Sequence, residues 1–164
     1  MEKQVTGETH DLDLLAKGEK YFAEWTALPD GRGLVIETRP KSKARPRMSK
    51  SGHVYTPKET KEYEKLISDA WMEQNPYPPF SNPVSVTMAF CFKRPKTHYD
   101  RHGVLKPDAP TRYTNTPDLD NVEKAVLDSL NGLAYTDDKL VWRKLTSKHW
   151  AADNLIRVFI QEDQ

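Results

Sequence analysis

The chain has 164 residues, of which 37% are hydrophobic and 30% are charged, and its net charge is only +1. This length predicts one domain with a real core, and no apolar run approaches the roughly 20 residues that cross a bilayer, which excludes a membrane protein. Cys91 is the only cysteine, which excludes an intramolecular disulfide and favours a reducing compartment. The polar amino terminus does not resemble a signal peptide, so we expect a cytoplasmic protein.

The amino-terminal part predicts little regular structure. Residues 11–27 have weakly helical spacing of apolar side chains, and a glycine-containing run at residues 30–33 interrupts it. We therefore expect residues 1–33 to be an extension of unknown role and residues 34–164 to form the domain. Residues 34–38 predict a short strand. Residues 40–56 are rich in proline, serine and basic side chains and predict a long mobile loop.

A helix is predicted after this loop. Thr56 and Glu59 have the spacing of a capping box, with Pro57 at the first helical position. The helix should end before the prolines at positions 76–79. Its expected buried side consists of Tyr63, Leu66, Ile67, Ala70 and Trp71.

Residues 84–92 alternate large and small side chains, which is typical of a half-buried strand in which Cys91 is a buried thiol. A basic loop follows over residues 93–116. A second helix is predicted from about Pro117 to Asn131, with two strands after it at residues 140–145 and 155–160 and a turn between them at residues 151–154. The expected core residues of this second helix are Leu119, Val122, Val126 and Leu130. The order β-α-β-α-β-β predicts an α+β fold with a mixed sheet and two main helices.

Carboxylates are concentrated around this second helix. Asp118 and Asp120 bracket its start, Lys124 follows one turn later, and Asp137 and Asp138 follow the expected helix stop. Crowded carboxylates raise one another's pKa unless a cation balances them, and Mg²⁺ is a hard cation that prefers oxygen ligands. The cluster therefore indicates Mg²⁺-dependent phosphodiester chemistry.

Helix geometry limits how these side chains meet. Successive helical residues are about 100° apart, so Asp118 can share an ion with Asp120 only from the extended entrance to the helix. Asp138 can then supply a third carboxylate. The alternative is ordinary helix chemistry, because the helix dipole favours early aspartates and Asp120 with Lys124 is a common surface ion pair. The complete spaced set favours the metal site.

Two sequence runs resemble a known family. The run PDLDNVEKAVLDSLNGLAYTDDKLV, at residues 117–141, resembles the signature of the RusA family of Holliday junction resolvases. The upstream run RPKSKARPRMSKSGHVYTPKETKEYEKLI, at residues 39–67, is similar to the amino-terminal part of the family as found in phages and prophages. The resemblance spans roughly residues 34–161 and leaves the first 33 residues outside it.

The resemblance implies a catalytic set in which the aspartates also bind the metal ion: Asp118, Asp120, Lys124 and Asp138. Two interpretations of Asp137 stay open, a further ligand or a residue that shapes the turn. Asn121 and Asp128 also match recurrent family positions, and fixing the helix is an equally good interpretation of their role. Lys124 would neutralise charge that builds on the phosphate or on the leaving oxygen.

Basic side chains occur in two regions that the acidic ends mask in the total charge. One is the run from Arg39 to Lys50, which contains no acid, and the other lies within residues 93–112. For charge runs in general a solvated loop is the favoured explanation, but the match of this run to the family favours contacts with DNA phosphates. The expected DNA-binding residues are Lys43, Arg45, Arg47 and Lys50.

Four aromatic or imidazole side chains have uncertain roles. Trp142 and Trp150 either stack on bases or belong to the core or to a dimer interface. His98 and His102 have helical i,i+4 spacing, but no third ligand accompanies them, so we do not expect a zinc site.

As a whole, the resemblance implies a homodimeric, Mg²⁺-dependent endonuclease that cuts four-way DNA junctions, is encoded by a prokaryote or a phage, and associates with the nucleoid. One active site per subunit would allow paired cuts in opposing strands. A nuclease that processes flaps or forks is one alternative, and a protein that binds branched DNA without cleaving it is another. The intact acid–lysine set disfavours the last, because carboxylates repel phosphate and a binding protein would gain by replacing them.

Overall fold

The computed structural model describes residues 31–163. Within this range two 3₁₀ turns, Lys96–His98 and Asp138–Leu140, accompany the strands and α-helices. In chain order the strands and helices are β1 (Gly31–Ile36), β2 (Arg47–Met48), β3 (Val54–Tyr55), α1 (Lys58–Gln74), β4 (Val84–Lys93), α2 (Leu119–Leu130), β5 (Val141–Ala151) and β6 (Leu155–Glu162). The predicted order is confirmed, with the hairpin of β2 and β3 as an addition, and the helical pattern predicted at residues 11–27 lies outside the described range.

Four strands form the main sheet in the order β1–β6–β4–β5. Strand β6 is antiparallel to both of its neighbours, whereas β4 and β5 are parallel. A parallel pair needs a long crossover connection, and here the crossover contains α2. Helices α1 and α2 pack against each other and cover one face of the sheet. The predicted α+β class with a mixed sheet is confirmed.

Strand β4 lies in the interior of the sheet, and its sequence explains that position. Its large side chains, such as Phe90 and Phe92, are buried in the core that the helices cover. On the opposite face Ala89 packs with Phe159, and Cys91 is buried as predicted. The prediction of a half-buried strand was therefore wrong for the carboxyl-terminal half of β4, because small side chains leave room for neighbours to cover the second face. Burial raises the pKa of the Cys91 thiol.

Helix α1 contributes a stripe of aromatic and aliphatic side chains to the core. Tyr63, Ile67 and Trp71 are buried at a spacing of four residues. Leu66 is 43% exposed, so its predicted burial was wrong. It lies about 100° around the helix from Ile67, beyond the side that meets the sheet and α2.

The start of α1 differs from the prediction. Pro57 is the residue that flanks the helix start, and no side chain caps it. The predicted capping box therefore does not form, because Thr56 lies one residue too far from the helix. At the other end the helix stops before the prolines as predicted, and the Asn75 side chain donates a hydrogen bond of 2.9 Å to Gly33 O in β1.

Several element boundaries and one core residue also differ from the predictions. Strand β1 begins at Gly31, because its pairing with β6 continues to that residue, and β5 continues to Ala151 along β4. Helix α2 begins at Leu119 and ends at Leu130. Its predicted core residues are buried except Leu119, which is 37% exposed on the solvent-facing first turn. Among residues 31–163 no helix is long and apolar enough to cross a membrane.

Candidate active site

The entrance to α2 places two aspartates at the surface. Asp118 flanks the helix start with φ −65° and ψ 149°, the extended conformation that the prediction requires. Its carboxylate makes no capping hydrogen bond, and Asp120 follows on the first turn, where both side chains are exposed. The loop before them is anchored by Lys148, whose Nζ donates to Pro117 O at 2.7 Å. Asp118 therefore does not cap the helix, and of ordinary helix chemistry only the favourable helix dipole remains as an account of its carboxylate.

A pocket of about 370 Å³ lies between α2 and the start of β5. It brings together three of the predicted catalytic residues, Asp120, Lys124 and Asp138, with Asn121 beside them. Asp138 reaches it from the 3₁₀ turn that leads into β5. The remaining lining residues are Glu123, Leu127, Asp128, Tyr135, Val141 and Lys144.

Asp118 does not line this pocket. Within the part of the chain that the structure describes, no three side chains of histidine, cysteine, aspartate or glutamate are gathered closely enough to hold a metal ion. The metal set of Asp118, Asp120 and Asp138 is therefore not preassembled, and its assignment stays a prediction.

Ion pairing divides the acidic side chains of the pocket into two groups. Asp128 and Glu123 are paired with lysines. Asp120 and Asp138, in contrast, take part in no ion pair within residues 31–163. The surface pair of Asp120 with Lys124 that ordinary helix chemistry predicts is absent there, since Lys124 Nζ lies 3.9 Å from Asp128 Oδ2 instead. Two unneutralised carboxylates beside an exposed lysine are what a site for a cation and a phosphate requires.

Glu123 and Lys144 line the pocket although we did not predict them as site residues, and Thr146 bonds to Glu123 without lining the pocket. The Lys144 ammonium on β5 donates to Glu123 on α2, and the Thr146 hydroxyl donates to the same carboxylate at 2.8 Å. Glu123 lies within the signature run at residues 117–141. Lys144 and Thr146 are two residues apart on β5, so their side chains share one face of the strand. That spacing is the only sequence signal for them, because the packing of α2 against β5 decides which side chains meet.

Asp137 shapes the turn that carries Asp138. Its Oδ1 accepts a hydrogen bond of 3.0 Å from the backbone N–H of Lys139, and its Oδ2 lies 3.3 Å from the Lys139 ammonium. The hydrogen bond from that backbone N–H, together with the contact to the ammonium, lowers the pKa of the Asp137 carboxyl. Of the two interpretations of Asp137, this geometry supports the role in the turn.

Tyr135 closes the buried side of the pocket. Its hydroxyl donates to Leu127 O at 2.8 Å, and the side chain is fully buried. Burial raises the pKa of the Tyr135 phenol, and the negative charges of Asp138 and Asp128 raise it further. The Tyr135 phenol is therefore neutral and held in one position, and the acidic side chains of the pocket lie beside it.

The basic loop approaches the same end of α2. The backbone N–H of Lys43 donates to Asn121 O at 3.2 Å. A second pocket, of about 460 Å³, is lined by Arg39 and Lys41 of the loop and by Thr116 and Pro117, which immediately precede Asp118. The pocket of the basic loop thus ends at the residues that immediately precede Asp118 in the chain.

The predicted DNA-binding residues fall into two environments. Arg45, Arg47 and Lys50 are exposed, and Arg47 belongs to the hairpin of β2 and β3, so the predicted loop contains short strands. Lys43, in contrast, is 28% exposed and contacts Asp128 and Glu64.

The two tryptophans in question occupy different environments. Trp150 packs against the rings of Tyr113 and His98, with centroids 4.6 and 4.9 Å away, and so belongs to the folded core and its margin. Trp142 is 62% exposed near the start of β5, and its Nε1 donates to Asp163. His102 accepts a hydrogen bond from Arg101 Nε at 3.0 Å. Neither histidine belongs to a metal-binding group within residues 31–163.

Comparison with known proteins identifies the family. Residues 37–161 match the model of the family described as Endodeoxyribonuclease RusA. The chain belongs to the RusA family. RusA proteins are endodeoxyribonucleases, hydrolases that act on DNA. The matched range begins directly after β1 and ends within β6, so it includes both helices and the pocket.

A relative shares most of this length. The uncharacterized protein YqaN of Bacillus subtilis (strain 168) is 28% identical over 139 residues, which cover 78% of this chain and 94% of the relative. The similarity therefore extends across nearly the whole relative rather than over an isolated motif.

The acidic residues of this RusA chain fit a hard divalent cation. Mg²⁺ keeps several waters and is commonly held by one or two carboxylates together with substrate phosphates. Asp120 and Asp138 supply two carboxylates without ion-pair partners among the described residues, and both line one pocket. The pocket contains no cysteine or histidine, which disfavours a softer metal such as zinc.

Proposed function

We propose that this RusA protein is a Mg²⁺-dependent nuclease that resolves Holliday junctions by paired cuts as a homodimer in the cytoplasm. The observation that carries the proposal is the pocket beside α2, where Asp120 and Asp138 lie without ion-pair partners in the described range and Lys124 is 66% exposed. A site for binding alone would not gain from unneutralised carboxylates, because they repel the phosphates of DNA.

Each side chain has a distinct task in the proposed reaction. Asp120 and Asp138 would hold the ion, and Asp118 would join them from the helix entrance. A bound Mg²⁺ supplies charge neutralisation at the phosphate and acidifies the attacking water. The Lys124 ammonium stabilises negative charge that builds on the phosphate oxygens. Glu123 is already paired with Lys144, so it supports the pocket wall and leaves the exposed aspartates to bind the ion.

The basic loop provides the path for the DNA backbone. Arg45, Arg47 and Lys50 project into solvent, and the pocket lined by Arg39 and Lys41 lies against the residues that precede Asp118. Phosphate contacts from these side chains would position the duplex arm without reading its sequence.

A salt titration tests this path. Replacing Arg45 and Arg47 with alanine should weaken junction affinity and reduce the slope of log affinity against log salt concentration by about one unit for each lost phosphate contact. Replacing Lys58 and Lys65, exposed cations on α1, removes the same charge outside the loop and serves as the control. Equal slopes for the two double variants would contradict the role of the loop.

The sheet supports the proposed dimer. Strand β5 is at an edge of the sheet, and residues 111–113 bond only with its carboxyl-terminal part. The part that begins with the exposed Trp142 stays uncovered within residues 31–163. Pairing with a second copy would cover it, and two-fold symmetric dimers are the commonest assembly.

Sedimentation equilibrium should give twice the 18.9 kDa mass of the chain. A monomeric mass at the concentration where paired cuts occur would refute the dimer.

The proposed activity is tested on a labelled four-way junction with and without Mg²⁺. We expect symmetric cuts in two opposing strands that need the metal, with flaps and forks of the same sequence cut more slowly. Faster cleavage of flaps or forks would favour the alternative of a fork-processing nuclease. Tight junction binding without cleavage at any Mg²⁺ concentration would favour the non-cleaving alternative.

A further inference from the structure

Asp128 is contacted by two lysines from different elements. The Nζ atom of Lys43, in the basic loop, lies 2.5 Å from Asp128 Oδ2, whereas the Nζ atom of Lys124, one turn earlier on α2, lies 3.9 Å from the same oxygen. The first distance is that of a close charge-assisted hydrogen bond, and the second is near the outer limit of an ion pair. Lys43 therefore holds this carboxylate, and Lys124 stays 66% exposed at the pocket.

Lys43 is itself fixed to both helices. Its backbone N–H bonds to Asn121 O on α2, and its Nζ lies 3.1 Å from Glu64 Oε1 on α1. Burial by itself would lower the pKa of the Lys43 ammonium, but the contacts with Asp128 and Glu64 outweigh burial and raise that pKa. The Lys43 ammonium is thus paired with two carboxylates, whereas Arg45 and Arg47 in the same loop are exposed.

We propose that Lys43 is a positioning residue, which occupies Asp128 and so keeps Lys124 available to the substrate phosphate. The inference rests on the proposed role of Lys124 in cleavage. It gives Lys43 a different task from the direct phosphate contacts expected of the other basic loop residues.

The consequence of removing the Lys43 charge follows from the geometry. Asp128 and Glu64, which now share one ammonium, would lose their common cation. Only 28% of the Asp128 side chain is exposed, so water would compensate its charge poorly and an unpaired carboxylate there would attract a cation. Lys124 lies on the same face of α2 one turn away and already approaches that oxygen. It would turn toward Asp128 and be less available to a substrate phosphate.

A double-mutant cycle tests this coupling on the four-way junction. Lys43→Met removes the charge and keeps most of the aliphatic stem. We expect kcat to fall about tenfold with little change in KM, within the range that coupling in one ion-pair network spans. In an Asp128→Asn background no carboxylate remains to capture Lys124, so Lys43→Met should cost less than about twofold there.

Glu64→Gln is the matched control background. It removes the other partner of Lys43, yet Glu64 forms no ion pair with Lys124 within residues 31–163. Lys43→Met should therefore still cost about tenfold in that background. If Lys43→Met does not fold, Lys43→Gln can take its place, because it also removes the positive charge that Asp128 and Glu64 share, and the same pattern is expected.

Acetylation of Lys124 by acetic anhydride, followed by mass spectrometry, reports the rearrangement without DNA. An ammonium in a close ion pair reacts slowly, because the neutral amine is the reacting form. We expect slower acetylation of Lys124 in Lys43→Met and recovery in Lys43→Met/Asp128→Asn.

Three results would overturn the inference: an unchanged kcat in Lys43→Met, a loss that persists in the Asp128→Asn background, or equal rescue by Glu64→Gln. The first two would mean that Lys43 has no role or touches DNA directly, and the third that only total charge matters. If the wild-type protein cuts no junction while acetylation changes as expected, the proposed function fails and the charge arrangement is supported.

Discussion

Asp120→Asn should reduce junction cleavage by roughly two to three orders of magnitude, the scale of losing one charge-stabilising group at a transition state. The substitution keeps the shape of the side chain and removes a negative charge that has no ion-pair partner within residues 31–163. Junction binding should persist or strengthen, because one repulsive contact with phosphate is lost. The measurement is the single-turnover cleavage rate at saturating enzyme, beside the affinity in a gel-shift or anisotropy assay.

Asp69→Asn is the matched control for this prediction. Asp69 is an exposed aspartate on α1 whose carboxylate pairs with Lys65 at 2.5 Å, far along the chain from the pocket residues. It should cut at the wild-type rate, since exposed pairs of this kind contribute only about 0.3–0.5 kcal/mol to stability. A wild-type rate for Asp120→Asn, or full cleavage in EDTA, would contradict the assignment of Asp120 to a metal site.

Lys124→Met should lower the cleavage rate by about two orders of magnitude, because the ammonium that stabilises the developing charge is removed. The side chain is 66% exposed and its one ion pair among the described residues is the long contact with Asp128. We therefore expect little change in melting temperature. A catalytic loss without a stability loss distinguishes a role at the phosphate from a surface ion pair.

Lys65→Met provides the comparison, since Lys65 is 74% exposed and forms an i,i+4 pair with Asp69 on α1. Both variants lose a lysine from an i,i+4 pair, but only Lys124 lines the pocket. Normal cleavage by Lys124→Met, with a lowered melting temperature, would mean that Lys124 stabilises the fold as part of a surface ion pair and does not act at the phosphate. Measuring Mg²⁺ dependence in parallel shows whether the metal still binds.

The sequence by itself determined the class of fold and predicted the position of the candidate site along the chain. Period-two alternation identified β4, and helical spacing identified the buried stripes of α1 and α2. These signals are local, because the side-chain direction in a helix or strand follows from backbone geometry alone. The extended conformation of Asp118 agrees with the condition for sharing an ion with Asp120, although a helix start at Pro117 would have made Asp118 helical.

Features that depend on solvent exposure were harder to predict. Leu66 and Leu119 satisfy the apolar pattern but lie at the edges of the apolar faces of their helices, where neighbours cover them only in part. Ala89 of β4 differs in the opposite direction: it is buried although the alternation places it on the second face of the sheet, because that face is covered there as well. Periodicity shows which residues share a face, but it does not show what packs on that face.

Only the tertiary structure decided which charges meet. The spacing of Asp120 and Lys124 along α2 predicted an ion pair, yet Lys124 approaches Asp128, whose carboxylate is held by a lysine from a loop 85 positions away in the chain. Glu123 likewise meets Lys144 across the contact of α2 with β5. Coulomb energy depends on the distance between two charges in space and on their exposure to water. The spacing of residues along the sequence specifies neither quantity.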